Sequence, residues 1–479
     1  MKTPIISRSG AFKAAFWLSL AFLVLINWRS SSSSTNASQR EGPDAEVAVL
    51  TGAARTYFGF SELASRYQVL ESLSDWSQKR IEDLVHENVY LGPSEELYVW
   101  NRKRIVTLNA MRAIIAGHSG LSSEFEVLLE WIDRADKTKR QTVLISLIKQ
   151  AYSKESADTP YSPSMTEAFS ELERSFGWLV SVLESDLLGE SANVSSEEIS
   201  KGAMNAAIRN VFAMGLAVTL GLIGFFLLIN FFVKLAGREF ELRASASVIS
   251  GKVLIETFTL YLLALMISQG VTTYFFLDRT ITESLVFQMT FSVLILPILL
   301  WGIHAGVTFY NIRDTLGLKV DSLRTAIREF LIGVLSYIAC WPLVILFGIA
   351  YEIVLRALNV NIESGEHPVV PLLLGLESYW TLSLLLTFAA LIAPAIEELF
   401  FRGILYPYLK TKFHLIIAML LCGGLFAAIH PQGAIGVLPL TLLGAGFCFL
   451  REWRGNIFAA IGAHAAVNTT TLCMLILLR

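Results

Sequence analysis

From Asn205 to the C-terminus the chain is a succession of apolar runs separated by short charged loops. A helix needs about 20 apolar residues to cross the hydrocarbon core of a bilayer. Within that core each backbone N–H and C=O must be satisfied by the protein itself, which restricts what such runs can become. The runs fall near 206–233, 253–277, 285–310, 330–354, 373–396, 415–429, 435–450 and 457–478. An earlier run, Ala14 to Trp28, lies behind Lys2, Arg8 and Lys13. Its length fits a signal-peptide core, yet no small-x-small cleavage site follows closely, so residues 1–28 read as an uncleaved signal anchor. The expectation is an all-α, polytopic membrane protein of about nine spans. The runs at 415–429 and 435–450 are short for spans, which suits tilted, kinked or re-entrant helices around a cavity.

Composition agrees: 54% of residues are hydrophobic and 16% charged, against about 25% charged in soluble domains. A net charge of -3 gives no ground for a nucleic-acid partner. The four cysteines, Cys340, Cys422, Cys448 and Cys473, all lie in apolar runs and have no zinc-type spacing.

A serine-rich, flexible linker at 29–45 precedes a polar region at 46–200. Stretches at 61–85 and 165–188 space apolar residues by three and four, which is helical. Serines in "SPSM" and "GLSSEFE" read as N-caps, and "ADTPYSPS" as a loop. His86 and His118 stand singly and read as surface or core residues. This helical domain has no catalytic constellation; its expected role is a sensor, a docking module with a ligand or partner, or a spacer.

Positive residues orient the chain, because short cytoplasmic loops collect Lys and Arg. Lys234, Arg238, Arg243 and Lys252 follow the second span, and Arg313, Lys319, Arg324 and Arg328 the fourth. Lys410 and Lys412 follow the sixth, and Arg451 and Arg454 the eighth. The intervening loops hold only Arg279 and Arg356. The N-terminus is therefore expected in the cytoplasm and residues 29–205 outside, with 205–372 forming spans two to five and 373–479 spans six to nine.

Ionisable residues inside spans are functional-site candidates, since isolated buried charge is costly. Glu397, Glu398 and Arg402 sit on the sixth span, His430 ends the seventh, and His464 and Asn468 lie in the ninth; Glu377 stands at the outer start of the sixth. Glu398 and Arg402, four apart, share a helix face and read as an internal ion pair. Glu397 is turned about 100° away and free for chemistry. His464 and Asn468, and likewise Phe426 and His430, repeat the four-residue offset, so Phe426 would wall the site beside the histidine. A desolvated carboxylate suits general-base work near neutral pH. Two histidines and an amide could orient water and stabilise a developing oxyanion. Alternatively Glu397, His430 and His464 could hold Zn²⁺ with one position open, although no H-E-x-x-H is present. His430 and Glu397 meet only if the sixth helix runs on to about Leu409 or the seventh is tilted; the longer helix is expected. His304, Glu256 and Glu352 stand alone and read as structural or cavity-lining, and Gly423–Gly424 and Gly444–Gly446 as close-packing points between helices.

"EELFFR" (Glu397 to Arg402), "FAAIH" (Phe426 to His430) and "HAAVN" (His464 to Asn468) resemble, in order and spacing, the EExxxR, FxxxH and HxxxN motifs of the CPBP family. That family comprises type II CAAX prenyl endopeptidases and related bacterial intramembrane proteases, also called Abi proteins. The resemblance covers about Leu373 to Leu478 and implies an endopeptidase acting on a membrane-associated or lipid-modified substrate. It implies that Glu397 and His430 activate water, that His464 and Asn468 hold the oxyanion, and that Glu398, Arg402 and Phe426 support them. The family is commonly described as metal-dependent, though a metal-free glutamate mechanism fits the same residues. The anchor and the outside domain are no part of the family core, which puts a prenylated substrate in question. Competing readings are a non-catalytic scaffold or immunity protein, and a transporter with Glu397 and the histidines as a proton relay.

Overall fold

A computed structural model describes residues 15–21, 23, 45–67, 71–86, 95–135, 137–153, 163–189, 192, 194–237, 241–244, 247–275, 281–357, 378–430 and 433–477. Most of the linker at 29–45, residues 157–162 of the "ADTPYSPS" loop, Arg279 and Glu377 lie outside them, as do 7 of the 15 residues of the first apolar run, whereas Pro163 and Ser164 of that loop already belong to a helix. The described residues are helical without strands, and the chain is an all-α, multi-pass membrane protein. Contacts divide it into two compact units, one of Thr35–Leu216, the other of Met1–Ser34, Ala217–Pro368 and Leu376–Cys473, with short terminal and loop segments joining the first.

The first unit is a helical bundle: Ala45–Tyr67, Glu71–His86, Glu95–His118, Ser122–Arg134, Lys139–Tyr152, Pro163–Phe176 and Leu179–Leu188, joined by the start of Ser196–Ala236. Its core gathers Met111, Ile114, Ile148, Leu179 and Leu183, each fully buried. The amphipathic stretch 165–188 breaks at Gly177, whose φ of 83° favours glycine. Thr138 and Gln141 form a capping box that starts Lys139–Tyr152. The expected serine cap in "GLSSEFE" is not used. Leu121 occupies the N-cap position, with no side-chain hydrogen bond, and Ser122 is already helical; Ser123 instead donates to the Glu124 carboxylate.

In the second unit, five helices are long and apolar enough to cross a bilayer: Ser196–Ala236, Gly251–Thr272, Thr282–Ala305, Leu323–Tyr351 and Tyr379–Lys410. The first of these starts in the preceding unit. A shorter apolar helix, Leu415–Ala428, is followed by Gly433–Arg454 and Phe458–Leu477. Thr282–Ala305 is not one regular helix. The α-helix ends at Leu294 and Leu296–Ala305 continues as a 3₁₀-helix, because Pro297 lacks the N–H that the next α-helical bond needs. The final helices approach closely where glycine removes the side chain. A Cβ on Gly333 would overlap the Ala459 carbonyl, and one on Gly462 the Phe330 carbonyl. Gly423 likewise lies on the Thr441 carbonyl, and a Cβ on Gly444 would come within 2.7 Å of the Gly423 Cα. Gly424 and Gly446 face open space, so only one glycine of the first pair and one of the second serve the close packing expected of them.

Phe16, Leu20 and Leu23 are buried in the same core as Leu254, Phe258, Tyr261, Phe400 and Phe401. Tyr261 stacks on Phe400 with centroids 4.0 Å apart. Glu256, which read as solitary, accepts a 3.3 Å hydrogen bond from the Trp301 indole, and His304 packs on that indole. The Glu352 side chain lies outside the described residues.

Candidate active site

Two π-helical turns, Phe388–Ile392 and Phe401–Leu405, bracket the α-helical Ala393–Phe400, which carries both glutamates. The sixth helix does run on to Lys410, as the sequence leads one to expect. Each π-turn inserts one residue into the i→i−4 ladder and leaves carbonyls needing partners in a setting without water. Side chains from other helices supply them. The Asn468 amide donates to the Ala389 carbonyl at 2.8 Å, and the Cys422 thiol donates to the Phe401 carbonyl at 3.6 Å.

Glu398 and Arg402 are fully buried and joined by a 2.7 Å ion pair from Arg402 Nη1 to Glu398 Oε1. The guanidinium also donates from Nη2 to the Gly444 carbonyl at 2.9 Å. Its Cζ lies 4.7 Å from the Phe426 ring centroid and 5.0 Å from that of Phe447. Cation–π attraction is strongest where water is excluded, so this cage explains how the charge is tolerated. Gly444 is required here twice, because a Cβ would also press within 3.2 Å of Nη2.

The same Glu398 oxygen accepts a hydrogen bond from His464 Nδ1 at 2.9 Å. His464 is stacked on Phe447 and meets Phe426 edge-on. With Nδ1–H held by the carboxylate, the neutral ring presents an Nε2 lone pair, and Nε2 lies 3.7 Å from Glu397 Oε2. His430 repeats the arrangement. Its Nδ1 is 2.6 Å from the Phe426 carbonyl, an acceptor only, so Nδ1 carries the proton. Its Nε2 then faces the same Glu397 oxygen from 3.8 Å. Both gaps exceed a direct hydrogen bond and are short enough for one water to touch both sides. The side chains of Glu397 and His430 keep 24% and 21% exposure, whereas those of His464 and Glu398 are 6% and 0% exposed. Glu397 and His430 thus form the accessible surface, with His464 and Glu398 behind.

Six of the seven sequence-selected residues are joined by these contacts; the seventh, Asn468, meets the Ala389 carbonyl instead. Two of their links were not legible beforehand: Glu398 as the partner of His464, and Asn468 as the partner of Ala389. The first Asn468 N–H is thereby committed to the backbone, leaving one for a ligand. Phe447, which stacks on His464 and walls Arg402, was missed; no spacing relation ties it to either. Among the described residues no group of three or more His, Cys, Asp or Glu side chains is found arranged to hold a metal ion.

Residues 379–470 match the family model described as "Type II CAAX prenyl endopeptidase Rce1-like". A curated relative from Bacillus subtilis (strain 168), "Putative membrane peptidase YdiL", is 26% identical over 162 residues. That span is 34% of this chain and 59% of the relative's length. No solved structure matches. The segment that carries the constellation around Glu397 is, then, the part of the chain that matches the Rce1-like family model.

Proposed function

We propose that the membrane unit is an intramembrane endopeptidase that hydrolyses a peptide bond of a membrane-associated or lipid-modified substrate. The observation that carries this reading is the Glu397 carboxylate, faced by two histidine Nε2 atoms whose Nδ1 atoms are pinned by fixed acceptors. A water in that gap meets one general base and two orienting nitrogens.

In this reading Glu397 takes a proton from the water as its oxygen attacks the substrate carbonyl, giving a tetrahedral oxyanion. The uncommitted Asn468 N–H is the neutral donor for that oxyanion. His464 can join it only as the imidazolium, because its other nitrogen is committed to Glu398. Collapse expels the amine, which receives the proton held by Glu397, and the carboxylate is regenerated. Glu398 and Arg402 orient His464 without touching the reacting atoms.

The test is cleavage of lipid-embedded peptide substrates by purified protein in bilayer discs. Glu397→Gln and His430→Ala are each expected to lower kcat by a factor of about 100 or more, the usual scale for a lost general base. Wild-type turnover in both variants would refute the reading. If the wild-type protein cleaves none of a broad substrate set, the scaffold reading gains instead.

The same reading places the protein in the cell membrane with its N-terminus in the cytoplasm and the helical unit outside. The distribution of Lys and Arg supports this, and the burial of Phe16, Leu20 and Leu23 in the membrane core supports a retained first helix. Single cysteines introduced into the 71–86 helix should react with an impermeant maleimide in intact cells.

A further inference from the structure

The Thr35–Leu216 unit contains a cavity of about 390 Å³, a size that suits a small organic molecule. Phe58 and Trp178 form apolar walls with centroids 6.2 Å apart, and Glu62, His118, Ser185 and Asp186 supply polar groups. Three helices end at one wall. His118 is the last residue of Glu95–His118, Tyr152 is the last of Lys139–Tyr152, and Asp186 lies in the final turn of Leu179–Leu188. His118 Nδ1 donates to Asp186 Oδ2 at 2.7 Å, and the Tyr152 hydroxyl donates to the same oxygen. The Tyr152 ring packs directly on Gly117, where any Cβ would overlap it, and edge-on against Phe125. The network is therefore fixed by packing from several sides.

The electrostatics of this corner are one-sided. A helix C-terminus carries a partial charge of about -0.5, and a carboxylate in the last turn has the wrong sign for its own helix. Here three C-termini and the Asp186 carboxylate coincide. Among the described residues no Lys or Arg pairs with Asp186; its side chain is 25% exposed. Burial first, then the charge of Asp186, holds the Tyr152 phenol far above its ordinary pKa, so it stays a neutral donor. The lining also includes the start of Ser196–Ala236, whose positive end is met by its own cap: the Ser195 N–H donates to the Glu198 carboxylate and the Glu198 N–H to the Ser195 hydroxyl, with Glu197 beside them. No Lys or Arg lines the cavity; Arg55 lies over the Trp178 ring at 5.5 Å, outside the lining.

We propose that this cavity binds a small organic cation, with an ammonium group toward Asp186 and the three helix ends and an apolar body beside Phe58 and Trp178. The site is separate from the Glu397 constellation and does not depend on the protease reading.

Calorimetric titration of the full-length protein in phosphatidylcholine discs tests it, with heats from empty discs subtracted. Three probes share one aromatic body: phenethylammonium, 2-phenylethanol and 3-phenylpropionate. The work is done at pH 8, where an ordinary histidine is neutral. Phenethylammonium should bind at least about tenfold more tightly than the alcohol or the carboxylate. Asp186→Asn should lose about tenfold in affinity for the cation while the helical content is retained. Equal binding of the three probes, no binding of phenethylammonium at about 10 mM, or unchanged affinity in Asp186→Asn would each overturn the proposal. Were Asp186→Asn to misfold, the ranking of the probes on wild-type protein decides the matter alone.

Discussion

At the residue scale the site is a chain of commitments that runs Arg402 to Glu398 to His464 to Glu397. Each link restricts the next: the guanidinium holds the carboxylate, the carboxylate fixes which imidazole nitrogen bears the proton, and that decides what faces Glu397. Removing one member of a buried pair leaves an uncompensated charge and destabilises by about 3–5 kcal/mol. Arg402→Met should therefore lower the unfolding midpoint of the protein in detergent sharply. Arg402→Met with Glu398→Gln should be less harmful than the sum of the two single changes, because the partners share one interaction. Glu397→Gln, at a position that no Lys or Arg pairs with among the described residues, should leave the unfolding midpoint near wild type while removing activity. Asn468→Leu should lose about 1–3 kcal/mol through the stranded Ala389 carbonyl.

The same residues show why the site was partly legible. Glu398–Arg402, Phe426–His430 and His464–Asn468 all keep a four-residue offset, and helical geometry makes that spacing readable. The contacts that join the motifs span 66 residues between Glu398 and His464 and 79 between Ala389 and Asn468. Nothing local in the chain encodes those pairings. His118 read as solitary for the same reason, since Asp186 is 68 residues away.

At the scale of elements, the fit of Leu415–Ala428 against Gly433–Arg454 rests on bare backbone at Gly423 and Gly444. Gly423→Val should force these helices apart, and thermal unfolding in detergent should show a clear loss. Gly424→Ala and Gly446→Ala, which place a methyl group in open space, should change little. A result in which all three substitutions behave alike would contradict the described packing. The apolar runs announced these helices well, because length and hydropathy are local properties. The break at Pro297 and the two π-turns were not announced, because they depend on which hydrogen bonds the neighbouring helices replace.

For the whole molecule, two compact units whose main cores share no residues point to two unfolding transitions. Ile114→Ala, in the fully buried centre of the first core, should shift only one of them, by an amount equivalent to about 2–5 kcal/mol. Differential scanning calorimetry of the full chain in discs would record which transition moves. A shift of both by similar amounts would mean that the units melt cooperatively.

The paired π-turns also act as a phase device. A helical wheel drawn through 379–410 loses its register at Phe388 and again at Phe401, each time by about one residue, or roughly 100°. Glu397 and Glu398 point where they do only because one such step precedes them, and Lys410 faces its side only because two do. Deleting a single residue from the first turn would rotate the glutamates away from both histidines while leaving the length and greasiness of the helix almost unchanged. The bearing of the carboxylates is thus set by a count of residues, to which hydropathy is blind.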